Sequence, residues 1–184
     1  PGWTASLSTG DKRCRRCSTL LHVLNHCRMH SAAVQGGFVK AIPTRGGNIS
    51  VRVNQRPTLV QYDLRPDIQI VDEGRKRVVL IDLAIPFEDG LDALLRCRLQ
   101  KVDKYTPLAA SLESAGYQTE VHALLVGTLG SWDPANEAAL RVAGVHRRFA
   151  PLMRKLMTSD VIRRSRDIYI EHNWPWSKKC IFLN

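Results

Sequence analysis

The stretch DIQIVDEGRKRVVLIDLAI, residues 67–85, predicts a strand hairpin around which the rest of the fold is arranged. Residues 67–73 alternate apolar and polar side chains, as a half-buried strand does. Residues 77–85 are more continuously apolar, which is typical of a central strand. Between them, Gly74 and Arg75 suit a two-residue turn with glycine first. The sequence therefore predicts an antiparallel pair in which the numbers of facing residues add up to 149.

This register places Asp67 opposite Asp82, and Glu73 opposite Lys76. Facing side chains have Cβ atoms about 4.5–5.5 Å apart, so the two aspartates should repel each other. A divalent cation would relieve that repulsion, and oxygen ligands suit Mg²⁺ or Mn²⁺. Asp82 also interrupts an apolar strand, where a lone carboxylate is costly unless it is paired or bound to metal. The alternative is that Asp67 begins its strand in solvent and Asp82 pairs with a nearby arginine.

A helix is predicted after the hairpin, beginning at Asp89 or Asp92 and running to about Tyr105, with Pro107 breaking or kinking it. Lys101 and Tyr105 lie four residues apart and therefore share a helix face. From that face Lys101 could reach the two carboxylates, where a lysine stabilises a phosphorane-like transition state or orients the attacking water. The alternative is an ordinary surface lysine whose stem covers apolar neighbours.

The remaining patterns extend the hairpin into an α/β layer with mixed strand directions. Ile49–Val53 suits an edge strand, and residues 120–126 suit a buried strand. Helical patterns follow at residues 134–142, 151–157 and 159–169. The predicted order is thus strand, strand, helix, strand and helices.

Near the start of the chain, three cysteines and one histidine have the spacing of a small Zn²⁺ knuckle: Cys14, Cys17, His22 and Cys27. His26 and His30 are rival ligands. The alternative is a short helix over residues 18–27 with simply buried cysteines. Arginines around the knuckle, Arg15 and Arg16 among them, would present positive charge to phosphate.

The formal net charge of +10 favours a polyanionic partner, most commonly nucleic acid. Candidate contacts to nucleic acid are basic residues near the predicted site and in the last helices: Arg65, Lys104, Arg147, Arg148, Arg154, Lys155, Arg163 and Arg164. For the basic residues between positions 147 and 164, the alternative is an ordinary solvent-exposed helix face. No run approaches the roughly 18 apolar residues of a membrane span, and the start shows no secretory signal. Pro1 in place of methionine suggests a piece of a longer protein.

Together these residues resemble a known nuclease family. Arg65-Pro66-Asp67, then Asp82, then Lys101 and Tyr105 resemble the restriction-like endonuclease of site-specific non-LTR retrotransposons, such as the ribosomal-DNA-inserting elements of arthropods. Residues 19–27 resemble the cysteine–histidine knuckle that precedes that nuclease. Residues 82–88 and 127–133 are also similar to the family.

The resemblance implies a PD-(D/E)XK-type fold, a restriction-endonuclease-like mixed sheet flanked by helices with a small N-terminal zinc knuckle. Asp67 and Asp82 would hold Mg²⁺ or Mn²⁺. Ala84 occupies the position of the usual lysine, so that role falls to Lys101, with Lys104 as substitute. The implied activity is nicking of double-stranded target DNA in the nucleus to prime reverse transcription. The implied partners are element RNA and the reverse transcriptase region of the same polyprotein.

The resulting organisation is a leader (1–13), a zinc knuckle (14–31), a linker or helix with an edge strand (32–58), the endonuclease domain (59–172) and a tail (173–184). Residues 35–38, Gln-Gly-Gly-Phe, depart from an Arg-His-Asn-like triplet that similar elements carry there. Two alternatives therefore stand beside the nuclease. One is a catalytically inactive nucleic-acid-binding fragment, and the other is a structural domain that positions the polymerase.

Overall fold

A computed structural model describes residues 28–44, 48–88 and 92–173 of the chain. Over these residues the elements are, in order, α1 (Arg28–Ala41), β1 (Ile49–Val53), β2 (Ile68–Asp72), β3 (Arg77–Ala84), α2 (Ala93–Ser114), β4 (Gln118–Leu125), α3 (Asn136–Val142) and α4 (Ala150–Asn173). Several predictions lie outside the described residues: the leader, residues 174–184 of the tail, the cap at Asp89, and the knuckle residues Cys14, Arg15, Arg16, Cys17, His22, His26 and Cys27.

The four described strands form one mixed sheet in the order β1-β2-β3-β4. β1, β2 and β3 are antiparallel neighbours, whereas β4 runs parallel to β3. The parallel step is possible because α2 carries the chain back across the sheet between β3 and β4. The α/β class, the mixed strand directions and the edge position of β1 are thus confirmed.

The hairpin register is also confirmed, since Ile68 faces Ile81 and Asp72 faces Arg77. The turn differs from the predicted one. It spans residues 73–76, and Lys76, not Gly74, has a left-handed φ of 49°. The Asp72 carboxylate accepts a hydrogen bond from the Arg75 amide at 3.0 Å, which stabilises this wider turn. Lys76 and Glu73 still form the expected pair, at 3.0 Å.

Apolar side chains cover both faces of the sheet because residues alternate along each strand. On one face, Val78 and Leu80 of β3 pack against residues of α2, including Tyr105 and Leu108. On the other face, a larger core joins the sheet to apolar residues of α1, α3 and α4. Asp82 has the same strand parity as Val78 and Leu80, so it points towards α2.

The prediction that α2 stops near Tyr105 is wrong, because the helix continues through Pro107 to Ser114. Pro107 removes one backbone hydrogen bond. The helix tolerates that loss because Leu108 and Leu112, in the turns that follow, are almost completely buried. The start at Asp92 was anticipated, but the Asp92 side chain makes no capping hydrogen bond.

The helices predicted at residues 151–157 and 159–169 form one helix, α4. Pro151 lies in its first turn, where a backbone N–H has no partner within the helix, so proline is tolerated. Met153, Met157 and Val161 follow at intervals of four and are buried, which explains the continuity. In the part of the chain that the structure describes, no helix combines the length and apolarity needed to cross a membrane.

Candidate active site at the Asp67–Asp82 hairpin

Four predicted catalytic side chains come together where β2 and β3 meet α2. Asp67 immediately precedes β2, and Asp82 lies near the end of β3. The confirmed register puts these two residues side by side on the sheet face that α2 covers. Lys101 and Tyr105 extend from that helix towards Asp82.

Asp82 is a buried carboxylate with a donor on each oxygen, and only 3% of the residue is exposed. Its Oδ2 accepts a hydrogen bond from Lys101 Nζ at 2.6 Å, and its Oδ1 accepts one from the Tyr105 hydroxyl at 2.9 Å. Lys101 therefore reaches the carboxylate, as expected, and is more than a surface lysine. The alternative, in which Asp82 pairs with an arginine, is not observed, because its described side-chain partners are Lys101 and Tyr105.

Asp67 is half-buried, and its Oδ2 accepts a hydrogen bond from the Leu83 backbone amide at 2.7 Å. Burial, and next the adjacent Asp82 carboxylate, raise the pKa of Asp67 to about 6. The Leu83 amide and the Lys101 ammonium oppose that rise in the pKa without cancelling it. The mutual repulsion of the two acids expected from the register is therefore present at this site.

Tyr105 connects Asp82 to the loop before β2. Its hydroxyl lies 2.9 Å from Asp82 Oδ1 and 3.1 Å from the Arg65 carbonyl, and it accepts a hydrogen bond from Lys104 Nζ at 2.9 Å. Burial, followed by the Asp82 charge, raises the pKa of Tyr105 above its ordinary value. The phenol therefore keeps its proton near neutral pH and acts as a donor to the site.

The two acids fit a divalent cation in donor type. Both offer hard carboxylate oxygens, and Mg²⁺ is typically held by one or two carboxylates together with waters and substrate phosphates. Within the described residues there is no group of three or more His, Cys, Asp or Glu side chains that could hold a metal. A cation here would thus be bound by Asp67 and Asp82, with the rest of its coordination taken from water or substrate.

Within the described residues, the predicted nucleic-acid contacts divide into two sets. Lys104 and Arg65 lie next to the site: the Lys104 ammonium donates to the Tyr105 hydroxyl, and the backbone carbonyl of Arg65 lies 3.1 Å from the same hydroxyl. The other set is on α4 or the segment before it. Within this second set, Arg147, Arg148 and Lys155 are exposed, while Arg154 pairs with Glu137 and Arg163 pairs with Asp160. Arg164 is half-buried.

A buried glutamine, Gln35 on α1, is the residue that the sequence analysis missed. Its side-chain amide donates a hydrogen bond to the Asp67 carbonyl at 2.8 Å and exchanges two more with Asn54. In the sequence, Gln35 is notable only because residues 35–38 depart from an Arg-His-Asn-like triplet. No local pattern relates it to Asp67, which lies 32 positions further along the chain.

Two other networks hold the segments that follow β3 and β4. Arg98 of α2 donates to Asp133 at 2.7 Å and to the Ala123 carbonyl at 2.6 Å. The Glu88 carboxylate accepts hydrogen bonds from the backbone amides of Leu129 and Ser131. The Arg98 bonds hold α2, the helix that carries Lys101 and Tyr105, against β4 and the segment after it. The Glu88 bonds hold the loop after β4 to the segment after β3.

No protein-family model matches the chain, and no curated protein matches it.

The raised pKa of Asp67 predicts a pH-dependent effect of Asp67→Asn on stability. The pKa of this carboxyl is about 6 when folded, against an ordinary 3.8, so ionised Asp67 destabilises the folded chain above about pH 6. This destabilisation disappears as the pH falls from about 6 to about 4, because the Asp67 carboxyl is protonated at a higher pH in the folded chain than in the unfolded chain. Asp67→Asn should therefore raise the unfolding free energy of the metal-free chain by roughly 2–3 kcal/mol at pH 7.5, and by almost nothing near pH 4.

Urea unfolding at both pH values measures this difference. Asp103→Asn is the control, since Asp103 lies exposed on α2. An Asp67→Asn variant that is less stable than the parent at pH 7.5 would contradict the raised pKa.

Proposed function

We propose that this chain is a divalent-metal-dependent DNA endonuclease of the kind found in non-LTR retrotransposon polyproteins. The observation that carries the proposal is the juxtaposition of Asp67 and Asp82 beneath Lys101 and Tyr105. A purely structural ion pair would need only Asp82 and Lys101. A second carboxylate, held at a raised pKa beside the first, is the arrangement expected where a cation is to be bound.

In this proposal Asp67 and Asp82 hold Mg²⁺ or Mn²⁺ through their carboxylate oxygens. The chemistry supplied by such a cation is polarisation of the scissile phosphate and a lower pKa for a bound water. Lys101 offsets the negative charge that develops on the phosphate. Tyr105 donates to Asp82 and keeps that carboxylate in place, while Lys104 and Arg65 contact phosphates beside the reacting one.

The proposed substrate is double-stranded DNA. The net charge of +10 and the exposed Arg147, Arg148 and Lys155 suit contacts to the phosphate backbone. Such contacts position a duplex without selecting its sequence. The resemblance to retrotransposon nucleases extends this proposal in three respects. The chain would act in the nucleus at a particular target site, it would bind element RNA, and its protein partner would be the reverse transcriptase region of the same polyprotein.

A nicking assay on supercoiled plasmid tests the activity. The chain should convert supercoiled plasmid to the open-circular form with Mg²⁺ or Mn²⁺ and leave it intact with EDTA. DNA binding without nicking under either metal would favour the inactive nucleic-acid-binding fragment. Neither binding nor nicking would favour a structural domain that positions the polymerase.

A zinc knuckle at Cys14, Cys17, His22 and Cys27 is a separate part of the proposal, and it predicts about one Zn²⁺ per chain. Cys17→Ser should lose the metal because it removes one thiolate of the four-ligand set. Metal analysis of protein purified under reducing conditions measures the zinc content. Cys97→Ser is the control, since Cys97 lies on α2 outside the knuckle. Parent protein that carries no zinc would rule the knuckle out.

A further inference from the structure

We propose that Gln35 is a positioning residue for Asp67, which holds the Asp67 backbone so that its carboxylate stays directed towards Asp82. This inference rests on the proposed function, because that function makes Asp67 a metal ligand. It also extends the site to α1, an element outside the hairpin and α2.

Asp67 lies just outside the sheet ladder. The pairing of β2 with β3 begins at Ile68, and residues 55–66 before Asp67 form no helix or strand. A carboxylate at such a position needs fixed backbone on its loop side, since a small rotation there would turn it away from Asp82. Gln35 supplies one of the two hydrogen bonds that hold this backbone.

The Asp67 carbonyl accepts two hydrogen bonds. Gln35 Nε2 donates at 2.8 Å, and the Asn54 backbone amide donates at 3.0 Å. The Leu83 amide also donates a hydrogen bond to the Asp67 carboxylate. The backbone carbonyl and the side chain of this residue are thus each held by hydrogen bonds.

Gln35 is itself held rigidly. Its amide pairs reciprocally with the Asn54 amide, through bonds of 3.2 Å and 3.0 Å. Asn54 has a left-handed φ of 54°, a conformation that asparagine adopts more readily than most residues. Gln35 is only 7% exposed, and Phe38, one turn further along α1, is completely buried. The position of the Asp67 backbone therefore depends on the position of α1, through the Gln35 side chain.

Gln35→Met tests the inference, with Gln69→Met as a matched control. Methionine has similar length but no amide. Gln69 is also buried, and its Nε2 also donates to a loop carbonyl, that of Gln55 at 2.6 Å. Both variants lose a buried hydrogen bond to a backbone carbonyl, and Gln35→Met also loses the pair with Asn54, but only Gln35→Met removes a donor to Asp67.

Two readouts are measured on the full chain. The first is hydrogen exchange of the Leu83 amide by NMR without metal, which reports on the Asp67 carboxylate that it contacts. The second is Mn²⁺ affinity by calorimetry. Gln35→Met should speed Leu83 exchange about tenfold and weaken Mn²⁺ binding about tenfold, as loss of an outer partner of a metal ligand does. Gln69→Met should leave both unchanged.

The outcomes separate this inference from the proposed function. Unchanged Leu83 exchange in Gln35→Met, or equal acceleration in both variants, would overturn the positioning role. If the parent chain binds no Mn²⁺, the proposed function fails, while Leu83 exchange still decides whether Gln35 positions Asp67. Should Gln35→Met fail to fold, Asn54→Gly replaces it. Glycine accepts the left-handed φ and removes the side chain that orients Gln35, so Leu83 exchange should again rise, and its failure to rise would reject the inference.

Discussion

Asp82→Asn should abolish metal-dependent nicking, with a loss of roughly 10³-fold or more, the scale on which removal of one member of a catalytic unit acts. The asparagine keeps the shape of Asp82 but loses its charge and one oxygen acceptor. DNA affinity should stay unchanged or rise slightly, since a carboxylate without bound metal repels the phosphate beside it. Plasmid nicking and a DNA-binding titration measure the two effects separately.

The hairpin supplies the control for this prediction. Asp72 lies on β2 with strand parity opposite to that of Asp67, and its carboxylate stabilises the turn. Asp72→Asn should therefore retain nicking, although it weakens the turn. The double variant of Asp67 and Asp82 should be no less active than either single variant, because the acids act as one unit. Loss of nicking in Asp72→Asn with normal activity in Asp82→Asn would move the site elsewhere.

Lys101→Met should have opposite effects on metal binding and on catalysis. In the metal-free chain the Lys101 ammonium occupies Asp82 Oδ2 at 2.6 Å, so it competes with a cation for that oxygen. Its removal should tighten Mn²⁺ binding about tenfold, since Asp82 then has no other cationic partner in its described contacts. The nicking rate should nevertheless fall by roughly 10²–10³, the cost of losing one group that stabilises developing charge.

Lys104→Met is the matched control for Lys101. Lys104 lies three residues away and contacts the Tyr105 hydroxyl and ring, but it makes no bond to Asp82 among the described contacts. Its loss should leave Mn²⁺ affinity unchanged and weaken only the DNA contact. Calorimetry with Mn²⁺ and single-turnover nicking rates measure both quantities. If Lys104→Met stops nicking while Lys101→Met does not, Lys104 carries the catalytic charge, as the alternative in the family resemblance allowed.

The hairpin could be predicted from the sequence because strand alternation and turn residues are properties of neighbouring positions in the chain. Strand alternation and the position of Gly74 and Arg75 predicted the correct register, which brings Asp67 beside Asp82, although the turn itself is wider than predicted. The interruption of an apolar strand by Asp82 identified the buried acid. The spacing of four residues on a helix placed Lys101 and Tyr105 on one face, and both contact Asp82.

Features that depend on tertiary packing could not be predicted in this way. Pro107 suggested a helix end, but the burial of Leu108 and Leu112 carries α2 beyond it. The left-handed residue of the turn is Lys76, although glycine adopts that conformation more readily. Gln35 meets Asp67 only because α1 packs beside the loop before β2, and a single sequence carries no pattern for such a contact.

Anomalous scattering from crystals soaked in Mn²⁺ decides whether Asp67 and Asp82 form one divalent-metal site. We expect one strong anomalous peak in contact with carboxylate oxygens of both residues, with Lys101 Nζ displaced from Asp82, and no such peak in Asp82→Asn crystals. A peak that contacts neither carboxylate, or no peak in crystals whose site is open to solvent at millimolar Mn²⁺, would mean that the two acids do not form a metal site.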